Sequence, residues 1–147
     1  VLVGNGVEKP RLEKRVQDEN IGNVFFLPPV GKASIGDLTR YFDCSYMGSQ
    51  DSPLYRFGVS PNKMYDSMMA GKPLLFAFNT PKCLVETHQC GIVVRSGKAH
   101  EIQSAIEQLY NMSEATRREI GLRGKEAVLK YYNYTTLAEQ FEKLFKE

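Results

Sequence analysis

Short apolar runs and longer amphipathic stretches alternate along the chain, the pattern of strands set between helices. Val1–Val3 reads as a strand closed by the turn Gly4-Asn5-Gly6, and Glu8–Glu19 has the charge density of an exposed helix. Asn23–Leu27 is the next apolar run, broken by Pro28-Pro29. Ser34 and Asp37 have capping-box spacing and open a short helix through Leu38, Tyr41 and Phe42. Cys44–Met47 reads as a strand, and an exposed loop from Gly48 to Pro53 runs on through Leu54–Phe57.

The stretch Gly58–Phe78 organises the rest. Ser60 is placed as an N-cap with Pro61 at the first helical position, and Met64, Met68 and Met69 recur at helical spacing as core residues. Gly71 supplies a left-handed C-cap, and Pro73 stops the helix. Leu74–Phe78 is an unbroken apolar run, as expected of a strand buried on both faces of a parallel sheet. The N–H groups at such a helix start make an anion site, and a lysine in the first turn, Lys63, favours a phosphate. Ser-Pro starts and Gly-Lys-Pro ends are also ordinary helix punctuation, so the local pattern leaves both readings open.

Further along, Leu84–Gln89 is a short helix and Gly91–Val94 a buried strand. Lys98–Tyr110 is an amphipathic helix with Ile102, Ala105, Ile106 and Leu109 on its apolar face, and Ser113 caps another reaching about Tyr131. Thr136 and Glu139, in capping-box spacing, introduce a last helix with Leu137, Phe141, Leu144 and Phe145 along one face. Strand and helix alternate four or five times before helices take over. That order predicts an α/β protein with a doubly wound parallel sheet.

At 147 residues the chain is expected to form one domain over 1–147. A net charge of +2, with basic residues scattered, gives no reason to expect nucleic acid. Cys44, Cys83 and Cys90 lack C-x-x-C spacing and a histidine cluster, so reduced thiols in a cytoplasmic protein are expected, with no metal site. His88 and His100 are isolated and read as surface or boundary residues. A strand, G-x-G and a helix at Gly4 and Gly6 make either a tight turn or a phosphate contact. Asp51 and Arg56 precede the organising helix, at the carboxyl edge where open α/β sheets bind ligands. They read either as site residues or as solvated loop charges.

The pattern SPNK-x-x-D-x-M-x-A-G-K-P, from Ser60 to Pro73, resembles the signature of the C-terminal domain of GT-B glycosyltransferases of the group 1 family. More narrowly, it is similar to bacterial enzymes of O-antigen, capsule and exopolysaccharide synthesis. The resemblance covers nearly the whole chain. It implies a Rossmann-like domain with extra C-terminal helices, cut from a longer enzyme whose N-terminal acceptor domain and first β-α unit precede Val1.

It also implies a function: binding a UDP- or GDP-sugar and, with the missing domain, moving the sugar to a glycan or lipid-linked acceptor. Retention of anomeric configuration is expected, with no cofactor and no metal. Ser60, Asn62 and Lys63 would hold the diphosphate, Lys63 stabilising transition-state charge, and Asp66 would take the ribose hydroxyls. Gly4 and Gly6 would border the phosphates, with Pro28 and Val30 as walls beside the base. The family's E-x7-E element places its second acid on Asp66 and its first on Gly58, so the first carboxylate is absent here. The expected substitute is backbone contact from Gly58, Val59 and Ser60, with Asp51 in support. This fragment alone would bind weakly and transfer nothing. The full-length enzyme is expected at the inner face of the plasma membrane or free in the cytoplasm.

Two other readings compete. A GT-B epimerase acting on a UDP-sugar would share the fold but needs placed carboxylates and histidines, which are not identified. A non-catalytic α/β module such as a phosphorylation receiver needs an acidic pair after an early strand, whereas Asp43 precedes its strand.

Overall fold

The computed structural model describes residues 1–146. The backbone divides into two compact units, Val1–Ile35 and the chain from Gly36 onward. In the first, β1 (Leu2–Val3) and β2 (Phe26–Leu27) pair in parallel and α1 (Lys9–Asp18) connects them. The register sets Leu2 opposite Phe26, so Asn23 and Val24 face no residue of β1 and the predicted strand shortens to its last two positions. Pro10 lies in the first turn of α1, where an N–H is not needed.

The chain enters α2 (Ile35–Arg40) through a 3-10 turn at Lys32–Ser34. The expected Ser34 cap is therefore not formed: Ser34 is inside that turn, its N–H on the Gly31 carbonyl at 2.9 Å. In the second unit, β3 (Ser45–Gly48), β4 (Leu74–Ala77) and β5 (Gly91–Val94) form a parallel sheet in the order β3-β4-β5. Around it run α3 (Asn62–Met69), α4 (Leu84–Thr87), α5 (Ala99–Asn111), α6 (Glu114–Tyr131) and α7 (Tyr134–Lys143).

β4 is buried at every position, as its unbroken apolar run predicts. Its side chains alternate between two cores. Leu74 and Phe76 enter a cluster with Met64 and Met68 of α3, Val85 of α4 and Ala127 of α6. Leu75 points the other way, to Ala105 and Leu109 of α5. Helices thus cover both faces of this sheet, the doubly wound arrangement expected.

The C-terminus of α3 ends as predicted. Gly71 takes φ +70°, its N–H reaches the Met68 carbonyl at 2.9 Å, and Lys72 N–H reaches the Ser67 carbonyl at 3.3 Å. That pair of bonds is a Schellman motif. α6 buries Gly121, Gly124 and Ala127, and lies against this turn at Gly121. A Cβ at Gly121 would collide with the Gly71 carbonyl oxygen, and one at Gly124 would press on Cys90 and Met68. The missing side chain at Gly121 lets α6 approach the turn at backbone contact.

Ser113 caps α6 as expected, accepting the Thr116 N–H at 3.1 Å. α7 begins earlier than predicted, because Asn133 supplies the capping oxygen to Thr136 N–H at 2.9 Å. Leu137, Phe141, Leu144 and Phe145 are all exposed, and so is Ile106 of α5. Amphipathic spacing marks a face but cannot say whether a neighbour covers it. No helix among the described residues is long and apolar enough to cross a membrane.

Two outcomes test this packing. Gly121→Ala should lower unfolding stability by about 1–3 kcal/mol in urea melts, while Gly36→Ala in α2, whose new Cβ meets nothing within 4 Å, should not lower it and should raise it by up to about 1 kcal/mol. The three cysteines are free, and burial pushes the Cys90 thiol up to about 11. The unfolded thiol loses its proton near pH 9.0, so this contribution is complete below pH 9 and fades as pH rises toward 11. Cys90→Ala should flatten the fall of the urea midpoint across that window.

Candidate functional site

In the first unit, Gly4 follows β1 with φ +140°, and its N–H donates to the Leu27 carbonyl at 3.2 Å. Lys9 Nζ donates to the carbonyls of Gly4 (3.2 Å) and Leu27 (3.4 Å), and the Gly6 carbonyl accepts the Lys9 N–H at 3.0 Å. The G-x-G turn is therefore closed by a lysine, a partner the sequence pattern did not flag. Pro28 and Val30 are exposed just past β2, so these four residues share the carboxyl end of the two-stranded sheet.

In the second unit, a cavity of about 510 Å³ opens beyond the carboxyl ends of β3 and β4. Gly48, Ser49 and Phe78 form its floor. Ser49 Oγ and Tyr55 Oη share a hydrogen bond of 2.7 Å, and the Tyr55 ring meets Phe78 edge-on at 5.3 Å. Behind the floor, buried Ser96 ties three strand ends together: its hydroxyl donates to the Ser49 carbonyl and its N–H to Asn79 Oδ1 at 3.1 Å. One wall is a 3-10 turn at Pro53–Phe57, capped by Ser52. The sequence presents this segment as plain loop, so Leu54 and Tyr55 went unrecognised as lining residues. A serine just before a proline, as Ser52 is, was the available signal.

The other wall is Gly58, Val59, Ser60, Pro61 and Lys63. Gly58 takes φ +109° and ψ 163°, a conformation all but restricted to glycine. Its N–H closes the 3-10 turn on the Tyr55 carbonyl at 3.0 Å, which corrects the expectation that this amide is free for a ligand. Among the described residues, no protein acceptor meets the Val59 and Ser60 amides.

Ser60 is not the helix cap. α3 starts at Asn62, so Pro61 occupies the cap position and no side chain caps the helix. Ser60 is one residue too early to reach the α3 amides, and its Oγ pairs instead with Tyr65 Oη at 2.6 Å. The first N–H groups of α3, those of Asn62 and Lys63, have no intrahelical acceptor. An uncapped helix start and a lysine thus meet at the cavity.

The remaining predicted residues stand outside the cavity wall. Asn62 and Asp66 are exposed on α3, one turn apart, and Asp51 is exposed in the loop before the 3-10 turn. Arg56 lies over the Phe57 ring at 4.6 Å. His88 is half-buried, its Nε2 at 2.9 Å from Tyr132 Oη. Among the described residues, no group of three or more His, Cys, Asp or Glu could hold a metal ion.

This arrangement has structural counterparts. Sucrose-phosphate synthase from Thermosynechococcus elongatus superposes with a TM-score of 0.75 at 20% identity, over 96% of this chain and 34% of that one. A point mutant of TarM from S. aureus, solved with fondaparinux, α-GlcNAc-glycerol and UDP, superposes with a TM-score of 0.76 at 20% identity. That match covers 99% of this chain and 28% of TarM. The fold is that of a GT-B glycosyltransferase half. The chain spans about a third of the length of these GT-B structures. No family model matches the chain, and comparison with curated proteins finds no match. What the likeness carries is the GT-B fold, a Rossmann-like α/β half with parallel sheets flanked by helices.

Gly58 is where the GT-B resemblance would set a glutamate, and the backbone there is hostile to one. Gly58→Glu should lower stability by about 1–3 kcal/mol from the φ strain alone. The distinguishing comparison is Gly58→Ala: nothing lies within 4 Å of the added Cβ, so an equal loss in both variants identifies the backbone as the cause.

Proposed function

We propose that the chain is the donor-binding half of a glycosyltransferase, taking a sugar from a UDP- or GDP-sugar to a glycan or lipid-linked acceptor in cell-surface polysaccharide synthesis. The observation that carries this is the uncapped N-terminus of α3, opening with Lys63 on the cavity at the carboxyl edge of a parallel sheet. A leaving nucleoside diphosphate gathers negative charge as the glycosidic bond breaks, and fixed donors placed in advance stabilise it. Here those donors are the Asn62 and Lys63 amides, the helix dipole, the Lys63 ammonium and the Ser60 hydroxyl. TarM, which shares the fold, was solved with UDP.

In this reading the Val59 and Ser60 amides replace the absent first carboxylate, and Asp51 has at most a supporting role. Asp66 takes the ribose hydroxyls. Acceptor choice and completion of the transfer belong to segments beyond this chain, and the reaction retains anomeric configuration.

UDP or GDP should shift the amide resonances of Gly58–Asp66, with affinity near millimolar, about 4 kcal/mol. Lys63→Ala should weaken that shift about tenfold or more, since hydrogen bonds to charged groups are worth about 1.5–3 kcal/mol. Asp66→Ala should erase the preference for a ribose over a 2′-deoxyribose nucleotide. Shifts confined to α5–α7 would defeat the proposal.

A further inference from the structure

Ser60 and Tyr65 form a contact that the anion-site pattern does not call for. Their hydroxyl oxygens are 2.6 Å apart, bridging the residue before the helix cap to the middle of α3. Each hydroxyl has one proton, so only one of the pair can donate across this gap. When Tyr65 donates, the Ser60 proton is left to point elsewhere, and Ser60 lines the cavity.

Tyr65 is itself held. Its ring packs against Tyr132 at 5.5 Å with planes tilted by 52°. Tyr132 Oη is fixed in turn by His88 Nε2 at 2.9 Å, and the His88 ring stacks on Tyr131 at 5.8 Å. The phenol that meets Ser60 therefore hangs from a ring cluster built by the ends of α4 and α6.

We infer that Tyr65 is a positioning residue for the diphosphate site: its O–H donates to Ser60 Oγ and turns the Ser60 proton onto a phosphate oxygen. The inference rests on the donor-binding reading above. In the relay Tyr65 O–H to Ser60 O–H to phosphate, each bond polarises the next, and every proton stays on its own oxygen. The helix amides, which Ser60 is one residue too early to reach, stay open to the same anion. A phenylalanine at position 65 would keep the ring packing and lose the relay. A serine acting as a helix cap would need no tyrosine.

The test is an NMR titration of the chain with UDP and GDP, with uridine and guanosine as phosphate-free controls, on wild type, Tyr65→Phe, Ser60→Ala and the double variant. Tyr65→Phe should weaken the nucleotide that binds wild type about three- to tenfold and leave nucleoside binding unchanged. The double variant should bind no more weakly than Ser60→Ala, because the tyrosine acts only through the serine. In wild type labelled at tyrosine Cζ, the Tyr65 resonance should move with nucleotide and not with nucleoside, a readout that needs no variant to fold.

Equal nucleotide affinity in Tyr65→Phe, additive losses in the double variant, or a still Tyr65 resonance would each overturn the inference while the site stands. Failure of both nucleotides to perturb Gly58–Asp66 in wild type would overturn the donor-binding reading, and this inference with it.

Discussion

The seat of α3 depends on one close approach, that of α6 to the Schellman turn at Gly71. Gly121 has no side chain to hold the two segments apart, so backbone meets backbone there, and Gly124 leaves room beside it for the side chains of Cys90 and Met68. From that point β4 runs directly into the sheet, with Leu74 and Phe76 sharing a core with Met64 and Met68 on the helix it follows. A helix clamped at its C-terminus and buried along one face has little freedom at its N-terminus. The geometry at Ser60, Asn62 and Lys63 is thus set more than ten ångströms away, since eight residues rise about 12 Å.

Much of this second unit could be read from the residues. The Gly71-Lys72-Pro73 stop, the apolar run of β4 and the Ser113 cap rest on interactions within a few positions, and local chemistry decides them. Ser60 illustrates the limit. A serine before a proline looks like a cap, but whether its oxygen reaches an amide depends on a one-residue offset that the pattern does not encode. Tyr65, which takes the hydroxyl instead, is visible only once the helix has wound it back. The glycine stripe of α6 was in plain view, yet its meaning required knowing what lies opposite.

The candidate site divides along the same line. Gly58, Val59, Ser60 and Lys63 come together because they follow one another at a helix start. Leu54, Tyr55 and Phe78 join them only because parallel strands bring separate loops to one edge, which is long-range information. Gly58 shows a subtler gap: the missing carboxylate was legible, whereas the φ of +109° that forbids it, and the use of its N–H on Tyr55, were not.

The serine behind the cavity floor has a mechanical consequence. By holding Ser49 and Asn79 at once, Ser96 fastens the ends of three strands, and the floor behaves as a rigid plate. The opposite side is a 3-10 turn of five residues whose Leu54 and Phe57 are 71% and 75% exposed. Stiffness is therefore distributed unevenly around the cavity. Of the two sides, the strand ends are cross-tied and the turn at residues 53–57 is exposed, so a change in the width of the cavity falls on the turn.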